Sequence, residues 1–233
     1  MLINCVFVHC EGLPIFKQLQ LEEALLRTSS QNFCLVNTHL PEAVVLGISR
    51  KPERDLHVEH LKEDGIPIIR RYSGGGTVFL DADSLMVSWI INSPTPSPSS
   101  KDLLQWTQDI YAPIFPTGFK ITENDYTFLD KKIGGNAQYI QKYRWVHHTT
   151  FLWNMNPKKL ARYLPTPEIQ PSYRQNRSHD EFLTTIYELF DSREDFLSQL
   201  KQSAASKMVW EQGSIQTLTP MLSLPHRKAT QIL

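Results

Sequence analysis

Two short stretches carry residue types able to act on phosphates and acyl groups. Arg70-Arg71-Tyr72-Ser73-Gly74-Gly75-Gly76-Thr77-Val78-Phe79 leads two fixed cations into three glycines. Lys132-Ile133-Gly134-Gly135-Asn136-Ala137 sets a lysine ahead of a glycine pair. Arginine offers a planar fork that grips phosphate or carboxylate, and a glycine run reaches positive φ without steric cost and can aim amide hydrogens at phosphate oxygens. Together the stretches point to acyl-phosphate chemistry. The first lacks the Gly-Lys-Ser/Thr ending of a P-loop and the glycine spacing of a dinucleotide fingerprint, so neither common nucleotide fold is signalled. Taken alone, three glycines after a strand more often form a tight hairpin or bulge than a phosphate site.

Other polar residues have plainer readings. Asp81 and Asp83 straddle a turn and serve as turn formers rather than metal ligands. His147 and His148 are neighbours on a strand, so at most one faces a pocket, and a positioning role is favoured over a general base. Trp145 and Trp153 read as core or half-buried strand residues rather than a stacking platform. Lys131 beside Lys132 is an ordinary solvated pair at a strand start.

The elements that must position these residues follow from hydrophobic period. Ile15 to Arg27 carries apolar residues at helical spacing. Phe33–Val36 and Ala43–Ile48 read as neighbouring strands, and Glu53–Asp64 as a weakly amphipathic helix stopped by Gly65. Ile66–Ile69 begins a strand before the glycine run, and Leu85, Val87, Trp89 and Ile91 alternate as a central strand. The proline- and serine-rich stretch from Asn92 to Ser100 is a loop feeding a helix through Leu103, Trp106, Ile110 and Ile114. Strands are expected around Phe119–Ile121, Tyr126–Leu129, Ala137–Gln141 and Trp145–Trp153, with Gly134-Gly135 as a turn or bulge between the middle pair. Beyond Pro157 the pattern turns helical, with Phe182, Ile186 and Leu189 on one face and Leu197, Leu200 and Ala204 on another. Arg174-Gln175-Asn176-Arg177 is a polar connection. This order predicts an α+β fold with helices covering one side of a sheet.

Composition narrows the function classes. The 233 residues allow one large domain or one domain with a small appendage, and 24 basic residues balance 24 acidic ones. That balance argues against a nucleic-acid binder and against a polybasic membrane-surface protein. Cys5, Cys10 and Cys34 are odd in number, lack metal or redox spacing, and suit a reducing compartment. Val6-Phe7-Val8 is too short for a signal-peptide core, and no run approaches the roughly 20 apolar residues that span a bilayer. A cytoplasmic protein with no membrane partner is expected.

Four separated motifs, in order, resemble the biotin/lipoate protein ligase family, most closely its lipoate ligase branch. They are the arginine and triple-glycine run, the pair Asn124-Asp125, the lysine motif from Lys132 to Ala137, and His147-His148-Thr149-Thr150-Phe151-Leu152. Val44-Val45-Leu46-Gly47 and Leu21-Glu22-Glu23-Ala24 also fall where that family has a strand ending in glycine and an N-terminal helix. The resemblance spans residues 15 to 190. It implies a mixed, mostly antiparallel sheet flanked by helices, with a catalytic domain over residues 1–210 and a tail over 211–233. Thr217 to Leu233 would be a short docking helix or a disordered end, and no large accessory domain is expected.

The resemblance further implies an ATP-dependent lipoate–protein ligase. Lipoate, or octanoate, would attack the α-phosphate of ATP to give an acyl-adenylate, and a carrier lysine would attack that anhydride. Lys132 would be the catalytic residue, stabilising charge on oxygen as an oxyanion hole does. Arg71 would hold carboxylate or α-phosphate, and Gly75, Gly76, Thr77, Val78 and Phe79 would line the adenylate. Asn124, Asp125 and His148 complete the nucleotide-binding set, with Asp125 also the ligand for Mg²⁺. A narrow apolar slot near Val78 and the first helix would take the lipoyl chain. Arg174 and Arg177 lie where family members carry basic residues near the adenylate or carrier surface. The carriers implied are lipoyl domains of 2-oxoacid dehydrogenase complexes or the glycine cleavage H protein.

Gly134-Gly135-Asn136 departs from the family's commoner Ser-Gly-Ser form. Two alternatives stand beside the ligase. One is an ATP-independent octanoyl or lipoyl transferase of the same fold, which requires a cysteine nucleophile when it forms a thioester. The other is a catalytically silent protein that binds lipoate or a lipoyl domain.

Overall fold

Alternation along the central strands sets the architecture. In the computed structural model, which describes residues 2–233, Leu85, Val87, Trp89 and Ile91 enter one hydrophobic core while Met86 and Ile90 enter another. A strand points successive side chains to opposite faces, so this sheet is buried on both.

The chain runs β1 (Ile3–Glu11), α1 (Ile15–Thr28), β2 (Asn32–Thr38), β3 (Ala43–Leu46), α2 (Pro52–Asp55), α3 (Val58–Glu63), β4 (Ile68–Arg70), β5 (Val78–Leu80) and β6 (Ser84–Asn92). It continues with α4 (Ser100–Tyr111), β7 (Phe119–Thr122), β8 (Asp125–Phe128), β9 (Lys131–Ile140), β10 (Arg144–Leu152), α5 (Pro157–Tyr163) and α6 (His179–Phe182). The last elements are α7 (Arg193–Ala204), β11 (Met208–Gln212), α8 (Ile215–Leu218) and β12 (Gln231–Ile232). None of the helices among the described residues is long and apolar enough to cross a membrane.

Eight strands form the main sheet in the order β11-β1-β2-β6-β10-β9-β8-β7. Among the described residues of this sheet, β1 pairs in parallel with β11 and β2, and the other pairings are antiparallel. A smaller sheet, β12-β4-β3-β5, stands apart. The expected α+β class, a mixed and mostly antiparallel sheet flanked by helices, is observed.

Several expectations are corrected. Helices cover both faces of the main sheet rather than one: α4 and α7 pack on one core, and α1 on the other. The segments around Phe33 and Val44 do not pair, because β2 belongs to the main sheet and β3 to the smaller one. Ile3–Glu11 is a full strand, although its sequence reads only as a brief apolar run. Residues 53–64 form two short helices broken at Leu56 and His57. Phe182, Ile186 and Leu189 share no helix, since α6 ends at Phe182 and Leu183 instead bridges Lys132.

Gly134-Gly135 is no turn. Both glycines lie inside β9, and the bulge falls one residue earlier: Tyr126 pairs with Gly134 while Thr127 pairs with Lys132, which leaves Ile133 extra. A bulge re-aims its neighbours, here beside Lys132. A Cβ on Gly134 would meet the Thr150 carbonyl oxygen at 2.9 Å and Phe151 Cδ1 at 2.9 Å, so only glycine lets the two strands close at this point.

The segment after Gly213 packs back on the protein. The Glu23 carboxylate accepts the amides of Ala229 and Thr230, and β12 pairs with β4.

Candidate active site

The arginine and glycine run forms the loop between β4 and β5. Arg71, at 5% exposure, turns its guanidinium into that loop: Nε and Nη2 donate to the Gly74 carbonyl at 3.1 and 2.8 Å, and Nη2 also donates to Gly76 at 2.8 Å. Nη1 reaches the Val45 carbonyl at 3.4 Å. Burial, with the nearby Arg50 charge, pulls its pKa down to about 10. The side chain thus clamps the loop through carbonyls. Gly75 takes φ +99°, and a Cβ there would stand 2.7 Å from Arg71 Nη2 and 3.3 Å from the Ala137 Cβ. Only glycine allows the loop so close to both β9 and its own clamp.

Lys132 is the second residue of β9, opposite Thr127 of β8. Its Nζ lies 2.7 Å from Asp125 Oδ1, and a Cβ on Gly135 would meet that Nζ at 3.3 Å. Asp125 Oδ2 accepts the Tyr173 hydroxyl at 2.9 Å, and burial beside Asp125 pushes the Tyr173 pKa well up. Thr184 N donates to the Lys132 carbonyl at 2.9 Å, which ties the following segment to the start of β9. Asn124 precedes Asp125 in the β7–β8 turn, and its carbonyl accepts from the Asn136 side chain.

His147 and His148 point to opposite sides of β10. His148 reaches the cleft, and its Nε2 lies 2.5 Å from Glu22 Oε2 on α1. Burial works to raise the Glu22 carboxyl, but the His148 charge and bonds from His148, Ser88 and Gln18 outweigh it and hold the pKa below its ordinary value. His147 is fully buried against the Tyr126 hydroxyl, 2.9 Å away. Asp81 accepts from Asp83 N and Ser84 Oγ, the expected turn role.

One cleft of about 1000 Å³ gathers Arg71, Gly75, Gly76, Thr77, Val78, Phe79, Asn124, Asp125, Lys132 and His148. It has two apolar lobes. Because side chains alternate along β5, Val78 and Leu80 join Ile15, Leu19, Val45 and Met86 in one, while Phe79 joins Leu160, Phe182 and Leu183 in the other. The glycine loop, Lys132 and Gly135 lie in the polar stretch of the same cleft. Arg174 also lines it, stacked over Phe182 at 4.7 Å, with Nη2 buried and without a partner among the described residues. Arg177 instead reaches the Asp130 carboxylate at 3.3 Å.

The sequence reading missed Tyr173, Glu22 and the cations Arg50, Lys51 and Arg54, all close to this cleft. A signal existed for Glu22: with Gln18 it falls at the helical spacing of Ile15, Leu19 and Leu26, so both polar residues sit on the buried face of α1. The cysteines lie elsewhere. Cys5, Cys10 and Cys34 are buried on β1 and β2, none lines the cleft, and burial pushes the Cys5 and Cys10 thiols up to about 12.

Comparison with known proteins matches this arrangement to one family. Residues 14–207 match the lipoyl protein ligase A/B catalytic domain. The chain is 29% identical over 242 residues to the inactive lipoate–protein ligase 2 of Plasmodium falciparum, covering 77% of this chain and 62% of that protein. It therefore spans about three fifths of that relative's length. The fold superposes on the bipartite lipoate protein ligase of Thermoplasma acidophilum, solved in a study of that ligase and its E2 lipoyl domain, with a TM-score of 0.79 at 18% identity over 94% of this chain and 91% of that one. A lipoate-protein ligase A bound with ATP gives 0.72 at 17% identity, covering 95% of this chain and 93% of that one. LipL1 of P. falciparum in complex with lipoate also gives 0.72, at 17% identity, over 94% of this chain and 70% of that one. This chain belongs to the lipoyl protein ligase A/B catalytic domain family.

Proposed function

We propose that the protein is an ATP-dependent lipoate–protein ligase. The observation that carries this reading is Lys132, held at 2.7 Å by Asp125 in a cleft with two apolar lobes. One lobe suits an eight-carbon acyl chain, lipoyl or octanoyl, and the other a nucleobase. In the first step a carboxylate oxygen of lipoate attacks the α-phosphorus of ATP, and the bond to pyrophosphate breaks. In the second a carrier lysine amine attacks the acyl carbonyl, and AMP leaves. Both steps gather negative charge on oxygen, and Lys132 supplies a fixed cation there.

Gly75, Gly76, Thr77, Val78 and Phe79 form the wall along the adenylate, and Arg71 acts by holding that wall in shape. Asn124 and Asp125 border the nucleotide. His148, braced by Glu22, positions the acyl end of the slot. Mg²⁺ would supply charge neutralisation on the phosphates. Asp125 offers one hard oxygen ligand with lone pairs left beyond its bonds to Lys132 and Tyr173, which fits an ion held mostly by phosphates and water. Residues 1–210 carry the chemistry, and 211–233 brace it. Lipoyl domains of 2-oxoacid dehydrogenases and the glycine cleavage H protein are the carriers this reading implies.

The transferase alternative that relies on a thioester lacks support, because no cysteine lines the cleft. A silent binding protein has one observation in its favour, the inactive designation of the P. falciparum relative. Against it stands the Lys132–Asp125 pair, which lipoate binding alone does not require.

The deciding experiment mixes the protein with lipoate, Mg²⁺-ATP and an unmodified lipoyl domain, and follows pyrophosphate and carrier mass. Pyrophosphate release with a lipoyl mass gain is expected, and Lys132→Ala should lose both. A wild-type protein that binds lipoate but neither releases pyrophosphate nor modifies the carrier would move the assignment to the silent reading.

A further inference from the structure

The turn after β3 brings three cations to one edge of the cleft, and neither the adenylate nor the acyl chain accounts for them. Arg50, Lys51 and Arg54 all line the cleft. Four bonds lock the backbone and side chains of this turn to the glycine loop: Gly47 N to the Gly76 carbonyl, Ile48 N to Ser73, Arg70 Nη2 to the Arg50 carbonyl, and Arg50 Nε to Gly75 at 3.3 Å. Gly75 in turn abuts Asn136 and Ala137 of β9, close to Gly135 and the Lys132 Nζ above it. The cationic turn is therefore built onto the loop that faces the reacting centre.

Its charge is only partly neutralised locally. Asp55 is the one carboxylate paired with these cations among the described residues, at 3.9 Å from Arg50 and 3.5 Å from Arg54. Lys51 is exposed and joins no ion pair among the described residues, so the three cations outnumber the two carboxylates of the turn, Glu53 and Asp55. Such an excess beside a cleft attracts a multiply charged anion. AMP brings a single phosphate, which the Lys132 region would meet. A diphosphate is the group that brings further negative charge to the cations at this edge.

We infer that Arg50, Lys51 and Arg54 form a diphosphate subsite that receives the β- and γ-phosphates of a nucleoside triphosphate. This rests on the ligase reading. When the α–β bridging P–O bond breaks, the electron pair leaves with pyrophosphate, and these cations stabilise that leaving group. The same chemistry could serve the diphosphate of a coenzyme A thioester, so both sources enter the test.

The test uses the full chain with Lys51→Glu and Arg54→Gln combined. Both side chains are exposed and leave the Arg50–Gly75 bond intact, so a wild-type thermal midpoint is expected. Titration calorimetry with ATP, AMP, inorganic pyrophosphate and coenzyme A reads the subsite. ATP and pyrophosphate affinity should fall about tenfold to a hundredfold while AMP stays within about twofold. Lys51→Arg with Arg54→Lys should restore most of the loss.

Equal weakening of ATP and AMP, or no change in either, overturns the subsite. So does a variant in which only coenzyme A binding suffers, or one that binds ATP normally and raises only the KM for the carrier. A wild-type protein that binds no ATP would overturn the ligase reading itself, a result distinct from wild-type binding that the variant leaves intact.

Discussion

Lys132 Nζ stands 2.7 Å from Asp125 Oδ1, and the second oxygen of the same carboxylate accepts the Tyr173 hydroxyl at 2.9 Å. A lysine on a flexible four-carbon stem becomes a fixed cation only if something holds its head, and here the holder is itself held. Asp125→Asn keeps the shape but removes the charge that fixes Lys132. Adenylation, followed by pyrophosphate release, should slow about tenfold to a hundredfold, less than the hundredfold or more expected for Lys132→Ala. Tyr173→Phe should cost under about tenfold, because Asp125 keeps its ion pair. An Asp125→Asn protein as fast as wild type would show that the pair does not organise the reaction.

Arg71 spends its donors on the carbonyls of Gly74, Gly76 and Val45 rather than leaving them free. Lysine has no planar fork and cannot serve all three. Arg71→Lys should lower stability by about 2–3 kcal/mol in urea denaturation and loosen the glycine loop. Hydrogen exchange at residues 73–77 should quicken as well. Loss of ligand affinity with unchanged stability and unchanged exchange would instead assign Arg71 to the ligand directly.

The sheet, the central strand and the motif order were legible because they rest on local signals. Alternation announced β6, the helical period announced α1 and α4, and the glycine and lysine motifs announced two walls of a cleft that the fold does bring together. What stayed hidden depends on long-range partners. β1 pairs in parallel with strands starting at Asn32 and at Met208, and a parallel partner leaves no turn in the sequence to mark it. The bulge at Ile133 is a register fact about β8 and β9 together. Tyr173 comes to Asp125 from 48 residues away, across a proline-rich connection with no period to read. Arg50, Lys51 and Arg54 look like an ordinary solvated turn until the glycine loop is seen against them.

Glu23 is 1% exposed, and its carboxylate accepts the amides of Ala229 and Thr230 while pairing with Arg27 at 3.0 Å. Those bonds anchor β12, which pairs with β4 immediately before Arg71. Glu23→Gln retains one acceptor but loses the charge on both amides, at a cost of about 1–3 kcal/mol. Limited proteolysis should then release the segment after Leu224 well before the rest of the chain is cut. A tail as resistant in the variant as in wild type would show that strand pairing alone secures it.

His147 gives the fold a pH dependence of definite sign. It is fully buried on β10, bonded through Nε2 to the Tyr126 hydroxyl, with Nδ1 lacking a partner among the described residues. Burial, reinforced by the His148 charge, pushes its pKa down to about 3. In the unfolded chain a histidine titrates near about 6.5. Between those values the unfolded chain binds a proton that the folded one refuses, so stability is complete above about pH 6.5 and declines as pH falls toward 3. The slope from this one group approaches about 1.4 kcal/mol per pH unit. Glu22 acts in the same direction only lower, since its carboxyl is held below the ordinary range by His148 and its loss begins near the usual carboxylate value. The interval from pH 6.5 to 5 therefore isolates the histidines, and His9 and His179, also lowered by burial, remain in both proteins compared. His147→Gln keeps a hydrogen-bonding group near Tyr126 and cannot protonate. Urea midpoints measured across that interval should fall less steeply in the variant than in wild type, whatever the offset between the two curves. Parallel curves would mean that His147 takes up its proton in the folded protein as readily as in the unfolded one.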